Sequence, residues 1–166
     1  DSTIFKAEKI NTHGGSIRIY IKKGKKIMIE NNVKTFLKEE VDYGIKEFKT
    51  YQKFGDKIIK LKENVINNMN KLKVKNKKII GYGAPAKAST ALNFFGISNQ
   101  IDFIIEDNKL KHNKFIPGVK IQIKDKKNVK DKNSSILVLA WNFFEDIKKN
   151  NSNLSDDFIN IKDLEN

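Results

Sequence analysis

Lys77-Lys78-Ile79-Ile80-Gly81-Tyr82-Gly83-Ala84-Pro85-Ala86-Lys87-Ala88-Ser89-Thr90-Ala91-Leu92-Asn93-Phe94-Phe95-Gly96-Ile97 opens the stretch that decides the fold, and Ile101-Asp102-Phe103-Ile104-Ile105-Glu106-Asp107-Asn108 closes it. Ile79 and Ile80 are β-branched and apolar, as a buried strand asks, and they run into Gly81-Tyr82-Gly83. A tight turn over those three residues needs positions without a Cβ, so that the backbone bends sharply and approaches a ligand closely. Ala84 to Phe95 reads as a helix, with Ala88, Ala91, Leu92 and Phe95 on one face at spacings of three and four. Gly96 stands where a helix C-cap glycine is expected. Ile101 to Ile105 is the next strand, and Glu106-Asp107 is its acidic tip. Strand, glycine turn, helix and strand make a βαβ unit. The fold class expected is therefore α/β: a Rossmann-like, doubly wound, mainly parallel sheet.

Gly81, Gly83 and Ala86 spell G-x-G-x-x-A, and an acid follows about 20 residues on, as dinucleotide sites require. One reading is an anion site, since N–H groups at the start of a helix point outward and the helix dipole favours negative charge. Lys87 in the first turn opposes that dipole and makes sense beside an anion. The other reading is that small residues let the helix pack closely on the strand.

Composition narrows the classes. The chain has 166 residues, no cysteine and two histidines, which excludes disulfides and leaves little for a zinc site. No apolar run approaches the ~20 residues that span a bilayer, and no signal-peptide pattern is present. A soluble, cytoplasmic protein without a membrane partner is expected. The net charge of +13 suggests nucleic acid, but Arg18 is the only arginine and the lysines are spread along the whole chain. Nucleic-acid modules cluster arginines with aromatic platforms. A lysine-coated solvated surface is the expectation, with no nucleic-acid partner. The sequence starts at Asp1 and enters strand-like residues at once, which suggests a piece cut from a longer protein.

Upstream of the glycine stretch, Ile4 to Ile10 and Ser16 to Ile21 read as two strands around Asn11-Thr12-His13-Gly14-Gly15. Arg18 offers a planar donor fork for a phosphate or carboxylate. His13 is either a donor to a substrate oxygen or a solvated turn residue. After Asn31-Asn32, an N-cap region, comes a helix with Val33, Phe36, Leu37 and Val41 on one face. Gly44 marks a break. A longer helix then carries Tyr51, Phe54, Ile58, Leu61, Val65, Met69 and Leu72 as one stripe, expected to pack on the sheet. Three segments result, all in one domain: a β-hairpin segment over 1–30, a helical segment over 31–75 and the Rossmann-like unit over 76–166.

Downstream, Pro117-Gly118 is a turn leading into Val119 to Ile123, whose alternation reads as an edge strand. Lys124 to Ser135 is a polar connection or a short helix. Ile136 to Ala140 is an uninterrupted apolar run, as in a strand covered on both faces. It ends in Trp141-Asn142, at the carboxyl end of a strand, where open α/β sheets bind ligands. Trp141 is a stacking face or a core plug; Asn142 is a ligand contact or the cap of a helix over Phe143 to Asn150. Phe158 to Ile161 is a last short strand.

Thr12-His13-Gly14-Gly15-Ser16-Ile17-Arg18, Gly81 to Lys87, Asp107-Asn108, Pro117-Gly118 and Ala140-Trp141-Asn142 occur in one order. Together they resemble the C-terminal domain of the SAM-dependent sugar C-methyltransferases, over nearly the whole chain. Ala88 departs from the pattern, where glycine is common. The resemblance implies that a zinc module and a SAM-binding methyltransferase domain precede this one in the same polypeptide. It implies a nucleotide-linked keto-sugar as substrate, and enolate formation by a base upstream of Asp1. This chain would then bind neither SAM nor zinc itself and be inactive alone. On the same footing, His13, Gly14, Gly15, Ser16 and Arg18 face the interdomain cleft. Gly81, Tyr82, Gly83, Ala84, Ala86 and Lys87 take a phosphate or nucleotide. Asp107 and Asn108 meet a ribose or sugar hydroxyl, and Trp141 and Asn142 complete the site. The main alternative is an NAD(P)-binding Rossmann module of an oxidoreductase, with the acidic tip on the ribose. A SAM loop at Gly81 to Ala86 and a basic interaction module are the remaining readings.

Overall fold

The computed structural model describes residues 1–74 and 78–166, with the backbone alone for His13. The boundary expected between the helical segment and the sheet, at 75 and 76, and the first residue of the glycine stretch, Lys77, lie outside the described residues. The chain divides into two compact units, Asp1–Lys57 and Ile58–Asn166.

In the first unit, β1 (Ser2–Ile10) and β2 (Ser16–Lys23) form an antiparallel pair with a bulge between Ile4 and Lys6. The helix α1 (Asn31–Tyr43) follows, and Gly44 closes it in the left-handed conformation, as a chain break there requires. Its N-cap is Glu30, without a side-chain cap bond, and not the expected asparagines. The reason is that Asn32 turns its carboxamide to β1, accepting from the Ala7 N–H at 3.4 Å. Lys9 ties β1 to α1 by pairing with Glu39 at 3.0 Å and lying over the Phe36 ring. Of the expected apolar face of α1, Val33 and Phe36 are half-buried, while Leu37 and Val41 are exposed.

The long helix α2 spans Phe48–Val74. Its stripe is not uniformly covered. Tyr51 and Phe54, within the first unit, are more than half exposed, whereas Val65 and Met69, within the second, are fully buried. Leu61 and Leu72 pack beside them on the sheet, as expected for that half of the helix.

The second unit is a five-stranded parallel sheet in the order β5-β4-β3-β6-β7. The strands are β3 (Ile79–Tyr82), β4 (Phe103–Ile105), β5 (Ile123–Lys124), β6 (Ser135–Val138) and β7 (Asp157–Asn160). In order of appearance this is 3-2-1-4-5, the doubly wound arrangement. Alternate residues serve opposite faces. Ile79, Ile104, Leu137 and Leu139 meet α2 and α3 (Ala86–Phe95), through Ala88, Leu92 and Phe95. Ile80, Tyr82, Ile105, Ile136 and Val138 meet α4 (Phe144–Asn150), through Phe144 and Ile147. Each fully buried aliphatic side chain contributes about 1.5–3 kcal/mol, so the two layers hold this unit together.

Several boundaries move for local reasons. α3 begins at Ala86, two residues later than expected, because Ala84 precedes a proline and Pro85 itself is the extended N-cap. Gly81 and Tyr82 lie within β3, so the turn begins only at Gly83. The expected strand over Val119 to Ile123 shrinks to Ile123–Lys124, since Gly118 and Lys120 both adopt positive φ. It does lie at the edge of the sheet. A Cβ on Gly118 would collide with Asn93 of α3, whose amide donates to the Pro117 carbonyl at 2.9 Å. Among the described residues no helix is long and apolar enough to cross a membrane.

Candidate functional site

The strand order reverses between β3 and β6, and in open α/β sheets the crevice beyond the carboxyl ends of such a pair is where ligands bind. Here the two chain paths come very close. A Cβ on Gly83 would lie 2.8 Å from the Ala140 Cβ, and Gly83 has φ +91°, so no side chain fits there. A Cβ on Gly81 would lie 2.7 Å from Ile104 Cγ1. Both glycines therefore answer to packing of chain on chain, whatever else they do.

The acidic tip turns inward. Glu106 Oε2 accepts from the Ala84 N–H at 2.9 Å, and Oε1 accepts from the Asn108 N–H at 3.1 Å. Lys111 Nζ donates to the Ala84 carbonyl at 3.0 Å and lies 3.4 Å from Glu106 Oε2. Burial acts to raise the Glu106 pKa, but the two N–H donors and Lys111 outweigh it and hold the carboxyl below its usual range. Glu106 thus supplies a negative charge to the loop from within the chain. Asp107 accepts from the Tyr82 hydroxyl at 2.8 Å and pairs with Lys126 at 3.1 Å. Burial first, and then Asp107, push the Tyr82 phenol up. For Asp107 burial acts upward, yet Tyr82 and Lys126 bring it below the usual value. Asn108 caps the short turn Lys109–Lys111 by accepting from the Leu110 N–H at 3.0 Å.

Lys87 and Trp141 are brought together. Trp141 opens a 3-10 turn, Trp141–Phe143, directly beyond β6, and Lys87 sits in the first turn of α3 directly beyond β3. Lys87 Nζ lies 4.0 Å from the centre of the Trp141 ring. Burial, and behind it the charge of Lys162, hold Lys87 below the usual lysine range. No carboxylate pairs with it among the described residues. The two side chains belong to a mainly apolar groove of about 400 Å³, with Leu61, Thr90, Ala91, Phe94 and the acidic Glu165 among its walls. Lys62 lies over the Phe94 ring on its own account, 5.1 Å from the centroid. Trp141 is half-buried, packed against the core and open to the groove at once. Asn142 is exposed and caps no helix; the N-cap of α4 is Phe143, without a side-chain bond.

Phe94 and Thr90 were not singled out from the sequence. The signal available was the pair Phe94-Phe95: on a helix only one of two neighbours reaches the core, and Phe95 does.

The remaining sequence-derived residues lie in the first unit. Thr12–Gly14 is a 3-10 turn, with Gly14 and Gly15 at positive φ, and Ser16 Oγ donates to the Thr12 carbonyl at 3.1 Å. Arg18 donates to Glu8 at 3.1 Å, and the Tyr20 hydroxyl donates to the same oxygen at 2.7 Å. The Arg18 fork thus already holds a carboxylate of its own strand pair. The expectation for the His13 side chain lies outside the described residues.

The strand order and the helices on both faces place the second unit in the doubly wound α/β class. Within that class, residues 11–159 match the C-methyltransferase C-terminal domain family, and the chain belongs to it. The chain is also similar to the C-methyltransferase NovU of Streptomyces niveus, 29% identical over 143 residues. That match takes in 84% of this chain and 34% of NovU, so the chain spans about a third of the length of the curated relative.

Proposed function

We propose that the chain is the substrate-side domain of a SAM-dependent C-methyltransferase that acts on a nucleotide-linked keto-sugar. One observation carries the reading: Lys87, unpaired with any carboxylate among the described residues, stands at the start of α3 beside the switch point, with its ammonium over Trp141 in a mainly apolar groove whose wall also includes Glu165. A partly desolvated cation there, with the α3 dipole behind it, suits a diphosphate. The Trp141 and Phe94 rings offer flat apolar faces to a base, and Asn142 offers a donor and an acceptor to a hydroxyl or a base edge. Glu106 and Asp107 serve as internal braces of the loop in this reading.

Carbon methylation needs a proton removed beside the keto group and an enolate aimed at the SAM methyl. In this reading the base, the SAM site and the zinc module belong to the preceding part of the same polypeptide. The segment His13 to Arg18 faces the cleft toward it. The role of this domain is to fix the nucleotide end, so that the sugar carbon stands at one distance from the methyl donor. The chain alone transfers no methyl group.

The test is calorimetric titration of the chain with dTDP, GDP, NAD and SAM, at moderate salt to suppress general attraction to a +13 protein. Saturable binding of a nucleoside diphosphate, weakened about ten-fold or more by Lys87→Ala, supports the proposal. Saturable NAD or SAM binding, or binding indifferent to Lys87→Ala, overturns it.

A further inference from the structure

Among the described residues of Asp1–Lys57, Ala7 alone is buried. β2 has a single neighbour, β1, and its other edge pairs with nothing among the described residues. The outer side of β1 is already engaged: the Glu30 N–H donates to the Phe5 carbonyl at 2.9 Å, and Asn32 takes the Ala7 N–H. On β2, Ile17, Ile19 and Ile21 are 52%, 47% and 57% exposed and share one face. The opposite face is satisfied internally, with Arg18 and Tyr20 both bonded to Glu8. A two-stranded ribbon is marginally stable by itself. An eight-residue edge with alternating isoleucines is a template for another strand, which soluble proteins normally blunt with proline, bulges or central lysines. β2 carries no proline, its lysines come only at its end, Lys22 and Lys23, its central Arg18 is paired with Glu8, and the bulge of the pair lies on β1 between Ile4 and Lys6.

We infer that the open edge of β2 receives a strand from the rest of the methyltransferase polypeptide. β1 and β2 then become the outer part of a larger sheet, and the row Ile17, Ile19 and Ile21 joins its core. Two observations choose this occupant. The chain is a C-terminal domain by family and spans about a third of the length of its relative NovU. A strand on the same polypeptide arrives at high effective concentration, so the edge needs no protection against strangers. A second copy of the chain fits less well, because two bodies of charge +13 repel each other. The inference rests on membership of a larger methyltransferase and not on the nucleotide groove.

Amide hydrogen exchange read by mass spectrometry tests it, on the 166-residue chain and on the whole methyltransferase polypeptide. The expected result is a monomeric chain in which Ser16–Lys23 exchanges fast, slowed about ten-fold or more in the whole polypeptide, while Ile79–Tyr82 is equally protected in both. Ile19→Lys in the whole polypeptide should restore fast exchange at Ser16–Lys23 and leave Ile79–Tyr82 as it was. Equal exchange of Ser16–Lys23 in both proteins overturns the inference, as does a dimeric chain with β2 already protected. Protection of β2 in a protein that binds no nucleoside diphosphate would sink the proposed function alone.

Discussion

The two units of this chain are made from the same alphabet of isoleucine, phenylalanine and lysine, and they use it differently. In Ile58–Asn166 the apolar residues alternate through a parallel sheet, and Ile79, Ile104, Leu137 and Leu139 disappear completely beneath two helices. In Asp1–Lys57 residues of the same kind stay in view: Ile19 is 47% exposed, Val41 67% and Phe54 58%. A unit of fewer than 60 residues with one buried side chain among those described lacks the core that independent stability needs. Amphipathic patterning states what a segment is able to cover, while the covering partner must be supplied. The second unit supplies its own.

Truncations matched between the units should expose this most strongly. Leu137→Ala, in the centre of the sheet, should lower stability by about 2–5 kcal/mol in urea unfolding. Val41→Ala should change it by less than about 0.5 kcal/mol. Similar losses at both positions would mean that the first unit has a core after all.

Overpacking comes next in size. Gly81→Ala forces a methyl against Ile104 and Leu139 and should cost about 1–3 kcal/mol. Gly15→Ala meets no atom within 4 Å, though its φ of +117° still strains the backbone. The first should shift the thermal midpoint of the sheet; the second should leave it alone.

A smaller effect separates the two units by pH. Glu106 has a folded pKa below its ordinary value of 4.5. Its contribution is present in full above that value and is lost as pH falls through the lower, folded one. Glu106→Gln should therefore cost about 1 kcal/mol at neutral pH and flatten the loss of stability on acidification. Urea midpoints at about pH 3 to 7 read both. An unchanged acid slope would remove Glu106 from its bracing role. By contrast Glu39→Ala, which breaks the exposed pair with Lys9, should stay within the error of the midpoint.

Much of the sheet was legible because a doubly wound fold announces itself locally: buried strand, glycine, helix, C-cap glycine, strand. Which glycine makes the turn was not legible. Gly81 and Gly83 are one letter apart in role, and only the approach of Ile104 to the first and Ala140 to the second assigns them. The inward turn of Glu106 could not be read either, because an acid after a strand looks the same whether it meets a ribose or the Ala84 N–H. Lys87 and Trp141 stood out separately. Their meeting depends on β3 and β6 being neighbours, which is a property of the sheet and not of either segment. The α2 stripe shows the opposite limit, since a uniform pattern is buried along only part of its length.

The second unit holds its own core and, in the function proposed for it, carries the nucleotide-facing groove, while the first is proposed to depend on a partner. Trp141 is the only tryptophan and lies in that groove, so its fluorescence reports the second unit. The decisive measurement is urea unfolding of the chain followed at Trp141 and by far-UV circular dichroism, with and without the nucleoside diphosphate that binds in calorimetry. Helical signal should begin to fall before the Trp141 transition. Ligand at about 100 times its Kd should stabilise the Trp141 transition by about 2.7 kcal/mol and leave the earlier change where it was. Coincident transitions, or a ligand that moves the early change and not the Trp141 transition, would contradict that division.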